Sequence, residues 1–136
     1  MVPAERVGPE DEKVTINLGP VDLGRIDLLV REGVYSSRTD FIRDAIRSGL
    51  DEQKGLVDDV VTRKEYQVGL ILHRRADLEK YRAKGERVSI KVVGVYILGA
   101  DVTVDLVDAV IEELTVLGSL RGPKDVVEHL KRRGNR

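Results

Sequence analysis

Seven residues near the start constrain this chain more than any others. Glu12-Lys13-Val14-Thr15-Ile16-Asn17-Leu18 alternates polar and apolar side chains with period two, the pattern of a half-buried β-strand. Gly19-Pro20 then leads straight into a helical pattern, with no hairpin turn and no second strand nearby. Val14, Ile16 and Leu18 fall on the inward face, and Lys13, Thr15 and Asn17 share the outward one. A lone strand has no ladder for its backbone hydrogen bonds. The missing partner is therefore expected from another chain, most simply by two-fold symmetry.

The next forty residues lead to the same expectation by another route. Pro20 suits the first turn of a helix, Leu23, Ile26, Leu29, Val30 and Val34 follow at helical spacing, and Gly33 is a C-terminal cap candidate. Ser37 stands three residues before Asp40, a variant of the capping box. Phe41, Ile42, Ala45, Ile46 and Leu50 then mark the apolar stripe of a second helix running to about Gln53. A strand and two helices of this size bury too little surface to fold as a monomer. An intertwined homodimer is expected, with Val14, Ile16, Leu18, Phe41, Ile42 and Ile46 in a shared core.

The strand residues Lys13 to Leu18, followed by a helix and then by Gly33-Val34-Tyr35-Ser36-Ser37-Arg38-Thr39-Asp40-Phe41-Ile42-Arg43-Asp44-Ala45-Ile46-Arg47, resemble the ribbon-helix-helix family of the Arc/CopG type. The resemblance covers about residues 12–53. It implies an antiparallel two-stranded ribbon, built from two chains, that enters the major groove of double-stranded DNA. It also implies that Lys13, Thr15 and Asn17 match the family's base-reading triplet. Their chemistry suits base recognition, since lysine donates to guanine, asparagine bonds adenine in a bidentate way, and threonine offers a hydroxyl and a methyl for thymine. Without the resemblance, Thr15 and Asn17 can also be read as the solvated face of an edge strand. The start of the second helix, Ser37, Arg38 and Thr39, offers free N–H groups and a positive dipole end for a phosphate, while Ser37 also serves as N-cap. Arg6 and Arg38 add cationic charge.

Charge is strongly segregated along the chain. Residues 1–62 carry 8 basic and 13 acidic side chains, 63–91 carry 9 and 4, 92–130 carry 2 and 7, and the tail 131–136 carries 4 basic and none acidic. An acidic reading module runs against the phosphate neutralisation that supplies much of DNA affinity, so charge location must matter more than the sum. Asp22, Asp27, Asp44 and Asp51 are expected on helix faces away from the groove. Aromatic residues make up only 4% and tryptophan is absent, which weakens any reading based on stacking platforms for single strands.

At 136 residues the chain has room for one ordinary domain or two small ones. The organisation expected is an arm (1–11), a ribbon-helix-helix module (12–53), a linker or helical extension (54–65) and a small C-terminal α/β domain (66–133), α+β overall. In the last of these, an apolar-Gly-apolar start recurs at Gly69, Gly94 and Gly118. Helical patches follow at Ala76–Lys84, Val104–Glu113 and Lys124–Arg132, and Glu86–Leu98 and Leu114–Leu117 have β-character. This is the arithmetic of a short strand-helix solenoid with a truncated third copy, or of an ordinary α+β domain with accidental spacing. Ligand binding, oligomerisation and partner binding are all open to it.

No site chemistry stands out. Cysteine is absent, and His73 and His129, read as surface or interface residues, lack the neighbours of a metal site. Asp58-Asp59 and Glu112-Glu113 are poor acid/base couples, and no glycine-rich stretch ends in the Gly-Lys-Ser/Thr of a phosphate loop. Neither catalysis, a cofactor nor a metal is expected. No apolar run approaches the roughly 18 residues of a membrane span, and Met1–Glu12 lacks a signal-peptide core, so a cytoplasmic location is expected. The reading is a sequence-specific DNA-binding transcriptional regulator, acting as a repressor. It works as a homodimer, with higher oligomers through the C-terminal domain in prospect. The alternatives are an antitoxin-like protein that binds a partner protein through its C-terminal half, and a self-assembling scaffold.

Overall fold

The computed structural model describes residues 11–134; the arm, with Arg6, and the last two residues lie outside the described residues. The chain divides into two units, Met1–Asp59 and Val60–Arg136.

In the first unit, Pro20 opens α1 (Pro20–Arg31), where its missing N–H costs nothing. The helix ends as Gly33 takes φ 79°. The Gly33 and Val34 N–H groups then turn back to the carbonyls of Val30 and Leu29 at 3.1 and 2.9 Å, a Schellman ending. α2 (Arg38–Glu52) starts with Ser37 Oγ accepting from the Asp40 N–H at 3.0 Å. The Asp40 carboxylate reaches back to the N–H of Ser36 rather than that of Ser37, so the box closes one residue early. α3 (Lys54–Arg63) makes the expected linker segment helical. It ends in a second Schellman turn, with Glu65 at φ 59° and Tyr66 N–H on Val61 O.

Ile26 is the one buried hydrophobic residue among the described residues of this unit. Residues 11–19 form no ladder within the chain. The inward residues proposed from the alternation are open here, Val14 at 80%, Ile16 at 60% and Leu18 at 40% exposure, and Ile46 stands at 56%. Phe41 and Ile42 are half-buried.

The second unit has its own core. β1 (Gln67–His73), β2 (Val88–Leu98) and β3 (Ile111–Arg121) form a parallel sheet in the order β1-β2-β3. α4 (Arg75–Ala83), α5 (Val104–Val110) and α6 (Lys124–Arg132) occupy the connections and the C-terminus. Alternate residues of β2, Ile90, Val92, Tyr96 and Leu98, are buried with Leu78, Leu106, Val107, Val110, Val126 and Leu130 of the helices. Each such side chain contributes about 1.5–3 kcal/mol on burial. The recurring glycines lie side by side: Gly69 pairs with Gly94, and Gly94 with Gly118. All three have positive φ. A Cβ on Gly94 would sit 2.2 Å from Gly69 O, and one on Gly118 2.1 Å from Gly94 O, so strand spacing forbids a side chain there.

Two expected boundaries move. The patch Val104–Glu113 is helical only to Val110, and β3 begins at once with Ile111, well before Leu114. Helix-to-strand passage without a loop leaves carbonyls to satisfy; Arg87 donates to Asp108 O and Ile111 O, and Arg133 to Ile111 O and Glu112 O. Both arginines come from elsewhere in the chain, which is why periodicity misses the change. The third strand is also not truncated: it equals β2 in length at 11 residues, and α6 follows it.

The opposite face of the sheet carries Val68, Leu70, Leu72, Val93, Val95, Ile97 and Leu117, none of which joins the core. Val68, Leu70, Leu72 and Leu117 are exposed.

Candidate nucleic-acid interface

In the segment 11–19 Lys13, Thr15 and Asn17 are exposed. Their apolar neighbours Val14, Ile16 and Leu18 are displayed as well, so a single chain does not distinguish a reading face from a packing face.

The start of α2 is the most tightly braced part of the first unit. Tyr35 Oη donates to Asp44 Oδ2 at 2.6 Å, and its ring stands edge-on to Phe41 with centroids 5.1 Å apart. Arg38 donates through Nε and Nη2 to both carboxylate oxygens of Asp27, at 2.7 and 2.8 Å, tying α2 to α1 in a bidentate pair. The hydrogen bond from Arg38 holds the Asp27 carboxyl below its ordinary range. Two consequences follow for the expected phosphate site. The Arg38 guanidinium is already engaged, and Asp27 does not stand apart from the site, as expected of it, but beside one of its cations. What Ser37, Arg38 and Thr39 still offer is the first turn of a helix, where N–H groups lack carbonyls four residues back. Asp44 is likewise taken up by Tyr35. The sequence signals none of these pairs, because partners 9 and 11 residues apart meet only once the turn between the helices is set.

In the second unit, His73, expected at a surface or an interface, pairs with another side chain of the same sheet. It is half-buried, its Nδ1 lies 2.8 Å from the hydroxyl of the fully buried Tyr96, and the two rings meet edge-on. His129 is half-buried as well, and its Nε2 lies 2.8 Å from Asp108, which Arg133 also contacts at 3.0 Å. Glu112 and Glu113 are exposed on β3. Among the described residues there is no metal-binding cluster, and no helix is long and apolar enough to cross a membrane.

An exposed alternating segment, two capped helices braced across their turn and a separate sheet unit define a two-part chain whose first part has the layout of a DNA-binding module. The chain matches the Ribbon-Helix-Helix transcriptional regulator family over residues 9–127, and it belongs to that family. The match extends well beyond residue 53, so the family relationship takes in most of the sheet unit as well as the N-terminal module. The family is one of DNA-binding regulators, typically dimeric and normally non-enzymatic. No curated protein and no solved structure matches the chain.

Proposed function

We propose that the chain is a sequence-specific DNA-binding repressor that acts as an intertwined homodimer in the cytoplasm. Residues 12–18 of two copies pair into an antiparallel ribbon in the major groove. Lys13, Thr15 and Asn17 read base edges, the first turn of α2 at Ser37, Arg38 and Thr39 meets the phosphate backbone, and Val14, Ile16, Leu18, Phe41, Ile42 and Ile46 form the shared core. One observation carries this reading: the first unit buries only Ile26 among its described hydrophobic residues and leaves the apolar row of its alternating segment open. A surface of that kind needs a second copy.

The sheet unit extends the proposal to higher oligomers. Parallel sheets are normally covered on both faces, yet Val68, Leu70, Leu72 and Leu117 are open. The occupant that fits this face is the same face of a second copy, which a dimeric N-terminal module would hold at high effective concentration. The antitoxin-like and scaffold alternatives draw less support, since the C-terminal unit has a core of its own and the family match spans both units.

Selection of bound sequences from random duplex DNA, with the mass of the protein measured in parallel, tests the reading. A dimer with a defined preferred site is expected, and Lys13→Ala or Asn17→Ala should erase the preference with the fold intact. Unchanged preference in both variants would remove the segment from the DNA interface.

A further inference from the structure

Two hollows, of about 320 and 250 Å³, lie where β1 meets α4 and the start of β2, and share His73 and Tyr81 as a common wall. The larger hollow is lined by Asp77, Lys80 and Lys84 of the α4 region as well as by the shared pair, and the smaller by Gln67, Ser89 and one charge of each sign, Glu65 and Lys91, so the excess of cations belongs to the larger.

The polar groups are unevenly satisfied. Asp77 accepts from the Arg74 N–H at 2.8 Å. Lys80 and Lys84, one helical turn apart, have no ion-pair partner among the described residues, so the larger hollow keeps two free cations against one carboxylate already hydrogen-bonded. Burial holds the Tyr96 phenol in its protonated form, and burial also lowers the His73 pKa against the opposing pull of Asp77, which favours neutral imidazole near pH 7. When Tyr96 donates to Nδ1, the proton of the neutral ring sits on Nε2, a donor with no partner among the described residues.

We propose that this cleft binds a small organic oxyanion, its carboxylate or phosphate held between Lys80 and Lys84 and an acceptor atom held by the His73 ring, so that the sheet unit is a ligand-binding domain. Free cations beside a half-buried donor in a hollow at the lower end of small-molecule site volumes are the chemistry an anionic metabolite uses. The proposal is independent of the DNA-binding reading, because occupancy of the cleft is measured without DNA.

The full-length protein, labelled with nitrogen-15, is titrated with inorganic phosphate and separately with citrate, with chloride matching the ionic strength throughout. Expected are saturable shifts of the His73 ring nitrogens and of the amides of residues 77–84, with one anion class favoured over the other and so naming the ligand type. In the Lys80→Met/Lys84→Met variant, whose changes are confined to exposed side chains, binding should weaken at least tenfold. His73→Gln, which keeps a side-chain donor, should retain more of the affinity than His73→Phe. Shifts that chloride alone reproduces, that do not saturate, or that persist in the double-lysine variant would overturn the proposal and leave Lys80 and Lys84 as solvated charges of α4.

Discussion

Single side chains set limits in this protein wherever two backbones come close. Gly69→Ala would meet open space and cost only backbone strain, on the order of 1–3 kcal/mol, whereas Gly94→Ala adds a collision with Gly69 O. Urea titration should therefore show Gly94→Ala destabilising the sheet unit clearly more than Gly69→Ala; equal effects would mean that the strands can part. A second contrast concerns Arg38. Asp27→Asn should release its guanidinium for phosphate, raising affinity for all DNA sequences alike and steepening the dependence of log K on log salt by about 0.9. Affinity and salt slope unchanged across several salt concentrations would place Arg38 outside the interface. Asp108 supplies a pH effect. The hydrogen bond from His129, opposed by slight burial and helped by the charges of His129 and Arg133, keeps its carboxyl below the ordinary range. A carboxyl that is more acidic when folded stabilises fully above its unfolded value of about 4 and loses that contribution as pH falls through the folded value. Asp108 is half exposed, so Asp108→Asn should cost no more than about 1 kcal/mol at pH 7. Urea midpoints of the two proteins should converge in acid.

At the scale of elements, α2 depends on its first turn. Ser37→Ala removes the acceptor for the Asp40 N–H and should cost about 1 kcal/mol. If that turn also holds a phosphate, affinity should fall for every DNA sequence, with site preference unchanged. The segment 12–18 depends on a partner instead. Ile16→Asp would place a carboxylate in the shared core of the proposed dimer, a cost a small module cannot absorb. Circular dichroism should show the first unit unfolding; a folded, soluble monomer would contradict the intertwined dimer. The element boundaries also show what local pattern can carry. Pro20, Gly33 and Ser37 mark helix ends through bonds that reach only three to five residues, and such signals can be read from sequence. The end of α5 at Val110 rests on Arg87 and Arg133, 21 to 25 residues from the carbonyls and carboxylate they bind, and no window on the sequence contains both partners.

For the whole molecule the question is how the two units share the work. The division at Asp59 and Val60 falls inside α3, whose closing turn extends to Tyr66. A fragment of residues 1–66 would keep that turn, whereas one ending at 62 would cut it. The longer fragment should remain dimeric and prefer the same DNA site, but it should bind more weakly with a flatter salt dependence, because most of the basic stretch Arg63–Lys91 is gone. Full-length protein should bind two adjacent sites cooperatively and the fragment should not, if the open sheet face joins copies. Titration of both on one-site and two-site duplexes checks this. A monomeric fragment, or one without site preference, would assign the reader to the sheet unit.

Alternation, caps and spacing marked out an unpaired alternating segment, two capped helices and glycines recurring at 69, 94 and 118; that these glycines lie side by side in adjacent strands came from the structure. These features depend on neighbours a few residues away or on a repeat that the chain displays directly. Only the tertiary structure decided that Arg38 belongs to Asp27, that His73 pairs with Tyr96, and that one sheet face stays open while the other becomes a core. The partners in those pairs stand 11 and 23 residues apart, and which groups meet depends on how helices and strands dock, a choice made by the packing of whole surfaces that no local pattern encodes.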